Sequence, residues 1–328
     1  MKNIKVLVLE GGNNEEHEVS LITAKQVKNS LSNLNIYYDA IKVSPDTFEK
    51  DITKFSSDHI CFNALHGTFG EDGKIQKILK KKNFKHTHSN IKASSISFNK
   101  ALTKKEIQNT SILTPEFLTL NYQEINNKIL FDIFLKFGSF VIKPISSGSS
   151  YGVKILKNEK SIVSFLKNYD AFSKIYYKHQ ILLIEKFIEG RELSVSVIER
   201  DRKSCPVEVT EIIPNNSFFD YESKYTLGFS KHILPAQLPK HIYDKCKLDA
   251  KLVHDRLKCQ GISRSDFIYD NDENIYFLEI NSQPGLTPTS LLPEQLQYHG
   301  ISFDDLIFNL INCALWKKIL SIKERKIF

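Results

Sequence analysis

The feature that most constrains the fold lies in residues 261–290, where two runs of strand-forming residues flank a short polar segment. The runs read ISRSDFIYD and IYFLEIN, and the segment between them, residues 271–274, predicts a hairpin with a loop of about four residues. If Asp270 pairs with Ile275 across this loop, every pair further along the two strands is fixed. The sequence therefore predicts an antiparallel hairpin with a defined register.

This register places Asp266 opposite Glu279 and Arg264 opposite Asn281. Because side chains alternate along a strand, all four are expected on one face, with opposite Cβ atoms about 4.5–5.5 Å apart. Two carboxylates that close repel unless a positive charge lies between them. Mg²⁺ prefers one or two carboxylates plus substrate phosphate oxygens, so Asp266, Glu279 and Asn281 are predicted metal ligands. The alternative is a solvated hairpin in which Arg264 neutralises the acids.

The composition of the 328-residue chain is that of an ordinary globular protein with two or three subdomains. The formal net charge is +7, but the lysines are scattered, and the dense run KKKNFK at 80–85 is typical of a solvated helix end. We therefore expect no nucleic-acid partner. No apolar run reaches the roughly 18 residues of a membrane helix, so no membrane partner is expected. The widely spaced cysteines form no C-x-x-C pair, which favours reduced thiols in the cytoplasm.

Strand-like and helical runs alternate through the first part of the chain, to about residue 95. The strand-like runs read IKVLVLE, IYYDAIKV and HICFNAL, and the helical runs read VSLITAKQVKNSL and GKIQKILKKK. Such alternation predicts a parallel sheet covered by helices, with ligands bound beyond the carboxyl ends of the strands. Two polar loops follow these strands, and their residues Glu16, His17 and His66 are therefore candidates for ligand contact.

A Gly/Ser-rich loop is the candidate phosphate site, because no G-x-x-x-x-G-K-[ST] motif occurs anywhere in the chain. The run SFVIKPISSGSSYGVKIL predicts a strand ending at Lys143, a loop, and a second strand. The N–H and hydroxyl groups of such a loop can bind phosphates while Lys143 and Lys100 supply charge. The alternative is a plain hairpin turn.

The run ILLIEKFIEGRELSVSVI predicts two strands with a break at Glu189-Gly190. Backbone groups near Lys186 and Ile188 can hydrogen-bond an adenine at such an exposed strand end, with Glu192 reaching a ribose hydroxyl. Further along, the polar, aromatic segment FFDYESKY is typical of a loop that lies over a site, and SFDDLIFNLINCALWKKIL predicts an amphipathic closing helix.

These segments stand in one order along the chain: GGNNEEHEVSL, ALHGTFGEDGKIQ, SFNK, VIKPISSGSSYGV, LIEKFIEGREL, FFDYESKY, SRSDF and LEINSQPGLTPTS. In that order, over nearly its full length, the chain resembles the D-alanine–D-alanine ligases of the ATP-grasp superfamily. The resemblance implies an α/β (α+β ATP-grasp) fold. An N-terminal open parallel-sheet domain (1–95) would precede a central ATP-grasp subdomain (96–185) and a C-terminal ATP-grasp subdomain with the metal site (186–328).

The resemblance also implies roles for individual residues. The catalytic set would be Glu16, Ser149, Tyr225, Arg264 and Gly285, with the first three as a hydrogen-bonded trio and the last two as an oxyanion hole. The substrate-binding set would be His66, Lys224, Ser290 and Leu291. The ATP-binding set would be Lys100, Lys143, Glu185, Lys186, Phe187, Ile188 and Glu192, and the metal set Asp266, Glu279 and Asn281.

The activity implied by the resemblance joins two D-alanines through an acyl phosphate, using ATP, to supply a peptidoglycan precursor. Two Mg²⁺ ions would assist, with Mn²⁺ able to substitute, and a cytoplasmic homodimer is expected. The alternatives are a D-alanine–D-lactate or D-serine ligase and another ATP-grasp carboxylate–amine ligase. Two positions depart from the usual family pattern: Asn14 replaces a common serine, and Ser263 replaces the usual glycine before the hairpin arginine. We expect altered packing there and retained activity.

Overall fold

The computed structural model describes residues 4–214 and 230–324. The predicted loop FFDYESKY, with Lys224 and Tyr225, lies outside the described residues. Within them, the chain forms one parallel sheet followed by two antiparallel sheets, which confirms the predicted fold class.

The amino-terminal part of the chain is a parallel sheet covered by helices. Its elements are β1 (Lys5–Gly11), α1 (His17–Asn33), β2 (Tyr37–Val43), α2 (Phe48–Asp51), a 3-10 turn (Ile52–Lys54), β3 (Ile60–Asn63), α3 (Lys74–Lys81) and β4 (Lys85–His86). The strand order is β2-β1-β3-β4. Residues 6–9 of β1 are fully buried, because helices cover both faces of a parallel sheet.

The central sheet is antiparallel, in the order β5 (Phe117–Asn121), β8 (Ile181–Lys186), β6 (Phe140–Pro144) and β7 (Lys154–Leu156). The sheet and the helices packed on it bury one apolar cluster, which includes Phe140, Phe165 and Tyr176. The elements between these strands are a 3-10 turn (Tyr122–Glu124), α6 (Asn127–Phe137), α7 (Glu159–Lys167) and α8 (Tyr169–His179).

The carboxyl-terminal sheet is also antiparallel, and its strands are β9 (Arg191–Arg200), β10 (Lys203–Pro214), β11 (Ser230–Ile233), β12 (Ile262–Tyr269) and β13 (Ile275–Asn281), in the order β11-β10-β9-β12-β13. The helices around it are α4 (Ile91–Phe98), α5 (Lys100–Ile107), α9 (Lys240–Leu257) and α10 (Leu291–Tyr298). The final helix, α11 (Phe303–Glu324), packs Leu310 and Ile311 into the same apolar cluster as Val6 of the parallel sheet.

The hairpin β12–β13 differs from its prediction at the turn and agrees with it at the far end. Tyr269, and not Asp270, pairs with Ile275, because a bulge shifts the register by one residue after Asp266. The turn is longer than predicted because the Asp270 carboxylate accepts the N–H groups of Asp272 and Asn274 at 3.0 and 2.8 Å. The bulge offsets the longer turn, so the predicted pairs nearer the site are found.

Each of the three sheets falls almost wholly within one of the predicted divisions at 1–95, 96–185 and 186–328, and the division itself stays a prediction. Across residues 4–214 and 230–324, no helix has both the length and the apolar character needed to cross a membrane.

Candidate active site

A cavity of about 550 Å³ lies between the central and carboxyl-terminal sheets. This volume is in the range of small-molecule sites. Val141 and Ile155 of the central sheet and Ile212, Ile268 and Leu278 of the carboxyl-terminal sheet give it an apolar part. The predicted ATP-binding residues all line it: Lys100, Lys143, Glu185, Lys186, Phe187, Ile188 and Glu192.

A buried charge cluster occupies one wall of this cavity. The carboxylate of Glu185 forms ion pairs with Lys143 through Oε1 and with Lys104 through Oε2, the latter at 3.2 Å. Burial by itself raises the pKa of Glu185, but Lys104 and Lys143 reverse the shift and lower it below its ordinary value. Burial lowers the pKa of Lys143, yet Glu185 and Glu279 outweigh it and raise that pKa. Lys143 therefore stays charged at the cavity wall.

Lys100 links the Gly/Ser loop to the hairpin. Its Nζ donates to the Ser147 carbonyl at 2.6 Å and lies 3.1 Å from Oε2 of Glu279. The side chain of Lys100 is nearly buried, at the first position of α5, where Asn99 caps the helix by accepting the Leu102 N–H. This arrangement brings one cation to the meeting point of the loop and the predicted metal residues.

The Gly/Ser loop contains a tight turn. The Tyr151 N–H donates to the Gly148 carbonyl at 3.1 Å, and the two residues between them have φ of +52° and +56°. Positive φ at both central positions defines a type I′ turn, which usually takes glycine or asparagine. Here both positions are serines, Ser149 and Ser150, so the backbone carries local strain. Such strain is typical of functional loops.

Glu16 joins the parallel-sheet domain to this loop. Its carboxylate accepts a hydrogen bond from the Ser149 hydroxyl, and the residue is 6% exposed. Burial, followed by the charge of Glu71, raises the pKa of Glu16 above its ordinary value. Glycines 67 and 148 leave room for it: a Cβ at Gly67 would lie 2.5 Å from Oε2 of Glu16. The predicted contact between Glu16 and Ser149 is thus found, while Tyr225 lies outside the described residues.

His66 lies beside Glu16 in a fixed orientation. Its Nε2 is hydrogen-bonded to the Thr23 hydroxyl of α1 at 2.9 Å, and its Nδ1 lies 3.3 Å from Oε1 of Glu71. The ring is 4% exposed. Both ring nitrogens therefore have partners that set the orientation of the imidazole.

The predicted carboxylate pair is found on the hairpin. Asp266 lies opposite Glu279, and both line the cavity. Arg264 makes a two-point contact with Asp266, from Nε to Oδ1 at 3.0 Å and from Nη2 to Oδ2 at 2.8 Å. Oδ1 of Asp266 also accepts a 2.6 Å hydrogen bond from Ser194. The two acids therefore have different cations: Arg264 for Asp266 and Lys100 for Glu279.

Asn281 lies opposite Arg264, and its Oδ1 accepts the Gln283 N–H at 2.8 Å. In the part of the chain that the structure describes, no group of three or more His, Cys, Asp or Glu side chains has the arrangement of a metal site. A site built from two carboxylates and one carboxamide falls outside that pattern. The metal assignment therefore remains a prediction.

The turn after the hairpin holds the predicted residues Gly285, Ser290 and Leu291. A Cβ at Gly285 would lie 2.8 Å from Oγ of Ser290. That hydroxyl accepts the Thr287 N–H at 3.0 Å, just before α10 begins at Leu291. Leu291 is buried against Ile212. The geometry thus brings a glycine backbone and a hydroxyl together.

The two departures from the family pattern are accommodated locally. Asn14 donates to the carbonyls of His66 and Thr68 at 2.8 and 2.9 Å and ties their loop to the start of α1. The hydroxyl of Ser263 is hydrogen-bonded to Nδ1 of His254 at 2.7 Å.

Three further residues lie behind the site and support its walls, although the sequence motifs do not single them out. Lys104 contacts Glu185, as described above. Asn63 donates to Oε1 of Gln283 at 2.9 Å, and Gln283 donates to the Asn63 carbonyl at 3.1 Å. This buried pair joins the end of β3 to the turn after β13. Helical spacing was the available indication for Lys104, because it lies four residues after Lys100 and hence on the same helix face.

Two antiparallel sheets around a cavity lined by lysines and carboxylates, behind a parallel-sheet domain, define a protein of the ATP-grasp class. Comparison with known proteins narrows the class. The family described as "D-ala D-ala ligase C-terminus" matches residues 106–312. A D-alanine–D-alanine ligase of Pelagibacter ubique is 40% identical over 307 residues, which are 92% of this chain and 95% of the relative. The chain belongs to the D-alanine–D-alanine ligase family.

Solved structures agree with this assignment. The D-alanine–D-alanine ligase from Bacillus anthracis complexed with ATP superposes with a TM-score of 0.78 at 26% identity, covering 98% of this chain and all of that one. A D-Ala:D-Ser ligase from Enterococcus faecalis has a TM-score of 0.76 at 24% identity, covering 95% of this chain and all of that one. The second likeness, at this identity, shows the fold alone.

Proposed function

We propose that this chain is an ATP-dependent ligase that joins two D-alanines into D-alanyl-D-alanine for peptidoglycan precursor synthesis. One observation carries the proposal: a lysine-lined cavity between two antiparallel sheets adjoins a buried carboxylate, Glu16, supplied by the parallel-sheet domain. The cavity suits a nucleotide, and Glu16 suits an amino-acid ammonium. The family relationship supports both assignments.

ATP would lie with its base in the apolar part of the cavity and its phosphates near Lys143 and Lys100. The N–H groups of Lys186 and Phe187 already donate to Glu116 and Ser139 carbonyls, at 2.8 and 2.9 Å. We therefore assign adenine recognition to the backbone around Ile188. Glu192, on the neighbouring strand, would bind the ribose. The type I′ turn would cover the phosphates.

We assign two Mg²⁺ ions, with Mn²⁺ able to substitute, to Asp266, Glu279 and Asn281. The fit rests on the donor set, because two facing carboxylates that line the nucleotide cavity, with a carboxamide beside them, are the oxygen ligands that Mg²⁺ prefers. When bound, the ions would neutralise negative charge on the phosphates. In the structure Arg264 and Lys100 balance part of the charge of these acids.

In the first step, the carboxylate of the first D-alanine attacks the γ-phosphorus of ATP, forming an acyl phosphate and releasing ADP. Glu16 would hold the ammonium of this D-alanine and His66 would lie near its carboxylate. Lys143 and Arg264 would neutralise charge on the transferring group. The hydrogen bond from Ser149 to Glu16 supports this arrangement, because it joins the proposed ammonium ligand to the loop that would cover the phosphates.

In the second step, the amine of the second D-alanine attacks the activated carbonyl, and phosphate leaves. Arg264 and the Gly285 N–H would hold the tetrahedral oxyanion. Ser290, Leu291 and Lys224 would bind the second carboxylate. An acyl phosphate is hydrolysed if water reaches it, so a covering loop is required, and we assign this role to the segment that contains Tyr225.

Two further proposals rest on the family resemblance. We propose that the chain acts in the cytoplasm, where ATP is available. We also propose that it forms a homodimer. Analytical ultracentrifugation tests this directly, because the molar mass of a dimer is twice that of one chain.

The direct test of the activity is phosphate release from ATP with D-alanine, with L-alanine, and without an amino acid. We expect release only with D-alanine and only with a divalent cation, because the acceptor of the γ-phosphoryl group is the substrate itself. Equal release in all three reactions would contradict the proposed activity.

A further inference from the structure

Lys104 is a buried lysine next to an exposed one. Its side chain is fully inaccessible to solvent, whereas Lys105, the next residue of α5, is exposed. A lysine is almost never fully buried unless it is paired, because removing an ammonium group from water is costly. The buried ammonium group of Lys104 therefore needs a charged or polar partner inside the protein, which the exposed Lys105 does not need.

The contacts of Lys104 join the two sheets that surround the cavity. Its Nζ lies 3.2 Å from Oε2 of Glu185, at the end of β8 in the central sheet. It donates a 3.4 Å hydrogen bond to the carbonyl of Phe277 in β13 of the carboxyl-terminal sheet. It also lies 5.8 Å from the centre of the Phe117 ring in β5. Lys104 thus holds Glu185 from behind the cavity wall.

Glu185 is shared between two lysines. One oxygen contacts Lys143, which lines the cavity, and the other contacts Lys104, which does not. Among these three side chains there is one more positive than negative charge, and each oxygen of the carboxylate faces one lysine. Without Lys104, one acid would face one lysine, and the pair would be neutral. Glu185 would then neutralise the charge of Lys143, and Lys143 would attract a phosphate less strongly.

We propose that Lys104 is a positioning residue for nucleotide phosphates: it shares Glu185 with Lys143, so that Lys143 is held at the cavity wall with only part of its positive charge compensated by that carboxylate. The proposal rests on the proposed function, since it requires ATP in this cavity. Lys104 itself touches no substrate. Its effect should therefore reach the phosphates and not the adenosine part of the ligand.

The test measures the affinity of the whole chain for ATP and for adenosine by calorimetry. Lys104→Met removes the charge and keeps the length of the side chain. We expect it to weaken ATP binding at least about tenfold, the value of a charge-assisted hydrogen bond, while adenosine binding stays within about twofold. Lys105→Met is the matched control on the same helix and should leave both affinities within about twofold of wild type.

Two further variants separate positioning from a structural role. Lys104→Arg keeps the charge and should retain most of the ATP affinity. In a Glu185→Gln background, Lys104→Met should change ATP affinity by less than about twofold, because no carboxylate remains to be shared. If Lys104→Met does not fold, Lys104→Gln, which keeps a donor for the Phe277 carbonyl, takes its place with the same expectation.

The outcomes are distinct. Loss of ATP affinity with retained adenosine affinity supports the proposal. Equal loss of both ligands, or no loss of either, overturns it, since the first indicates a general packing defect and the second indicates no role. If wild type itself binds no ATP, the proposed function fails, and that result is separate from the behaviour of the Lys104 variants.

Discussion

The substitution Gly67→Ala tests how the site holds Glu16. Gly67 has φ of +68°, and a Cβ there would lie 2.5 Å from Oε2 of Glu16 and 3.2 Å from the Asn14 amide. The first distance is far shorter than real Cβ contacts, so the carboxylate has to move. Gly300 is the matched control, because its φ is +71° and a Cβ there meets nothing within 4 Å.

The two variants share one cost and differ in another. Placing alanine at positive φ costs about 1–2 kcal/mol in either protein. Only Gly67→Ala also displaces the Glu16 carboxylate from its proposed place beside the substrate ammonium. A charge-assisted hydrogen bond contributes about 1.5–3 kcal/mol, which corresponds to a loss of roughly 10–150-fold in kcat/KM for D-alanine.

The assay combines thermal unfolding with ADP release over a range of D-alanine concentrations. We expect both variants to lose the shared cost of positive φ, and Gly67→Ala to lose further stability because the buried Glu16 carboxylate has to move. We also expect near-normal kcat/KM for Gly300→Ala and a loss in the calculated range for Gly67→Ala. If Gly67→Ala kept the kcat/KM of Gly300→Ala, the assignment of Glu16 to the ammonium of the first D-alanine would be refuted.

Three other predictions concern the hairpin, the buried His254 and the choice of the second substrate. Glu279→Gln should reduce metal-dependent turnover by several orders of magnitude with unchanged circular dichroism. Arg264→Ala should lower kcat by roughly 10²–10³. Near-normal kcat in both variants would mean that the hairpin has a structural role only. Burial lowers the pKa of His254 to about 4 from an ordinary 6.5, so it binds a proton more readily when unfolded. The free energy of unfolding should therefore fall by up to about 3 kcal/mol as pH drops from 6.5 to 4, and a His254→Gln variant should lack this slope. With equimolar D-alanine and D-lactate between pH 6 and 9, the wild type should form mainly D-alanyl-D-alanine, and Tyr225→Phe should alter the kinetics. Mostly D-alanyl-D-lactate from the wild type would overturn the substrate assignment, and unchanged kinetics in the variant would overturn the role of Tyr225.

The sequence predicts the strands well because hydrophobic period and turn residues are local properties. The parallel sheet follows from alternating runs, and the Gly/Ser loop between β6 and β7 follows from its composition. The register of the metal hairpin is a harder case. Asp266 does face Glu279, but the predicted pair at the turn is wrong, because hydrogen bonds of the Asp270 side chain lengthen the turn and a bulge compensates for it.

The sequence does not reveal contacts between residues that are far apart along the chain. Nothing local in Asn63 or Gln283 indicates that two amides 220 residues apart form a buried pair. Helical spacing puts Lys104 on the same helix face as Lys100, but only the fold shows that Glu185 lies beside it. These residues depend on tertiary packing, which a single sequence does not display. Site residues within one motif, such as Lys143 and Asp266, can be predicted from the sequence because the local pattern of strand and turn fixes their positions.

Oxygen transfer from the substrate to phosphate tests the central claim most directly. The reaction is run with D-alanine labelled with ¹⁸O in its carboxylate, and the released phosphate is analysed by mass spectrometry. If the carboxylate attacks the γ-phosphorus and the acyl phosphate is then opened by an amine, each phosphate carries one ¹⁸O atom, and one dipeptide forms for each phosphate. Unlabelled phosphate, or label in AMP, would contradict activation of D-alanine as an acyl phosphate in this site.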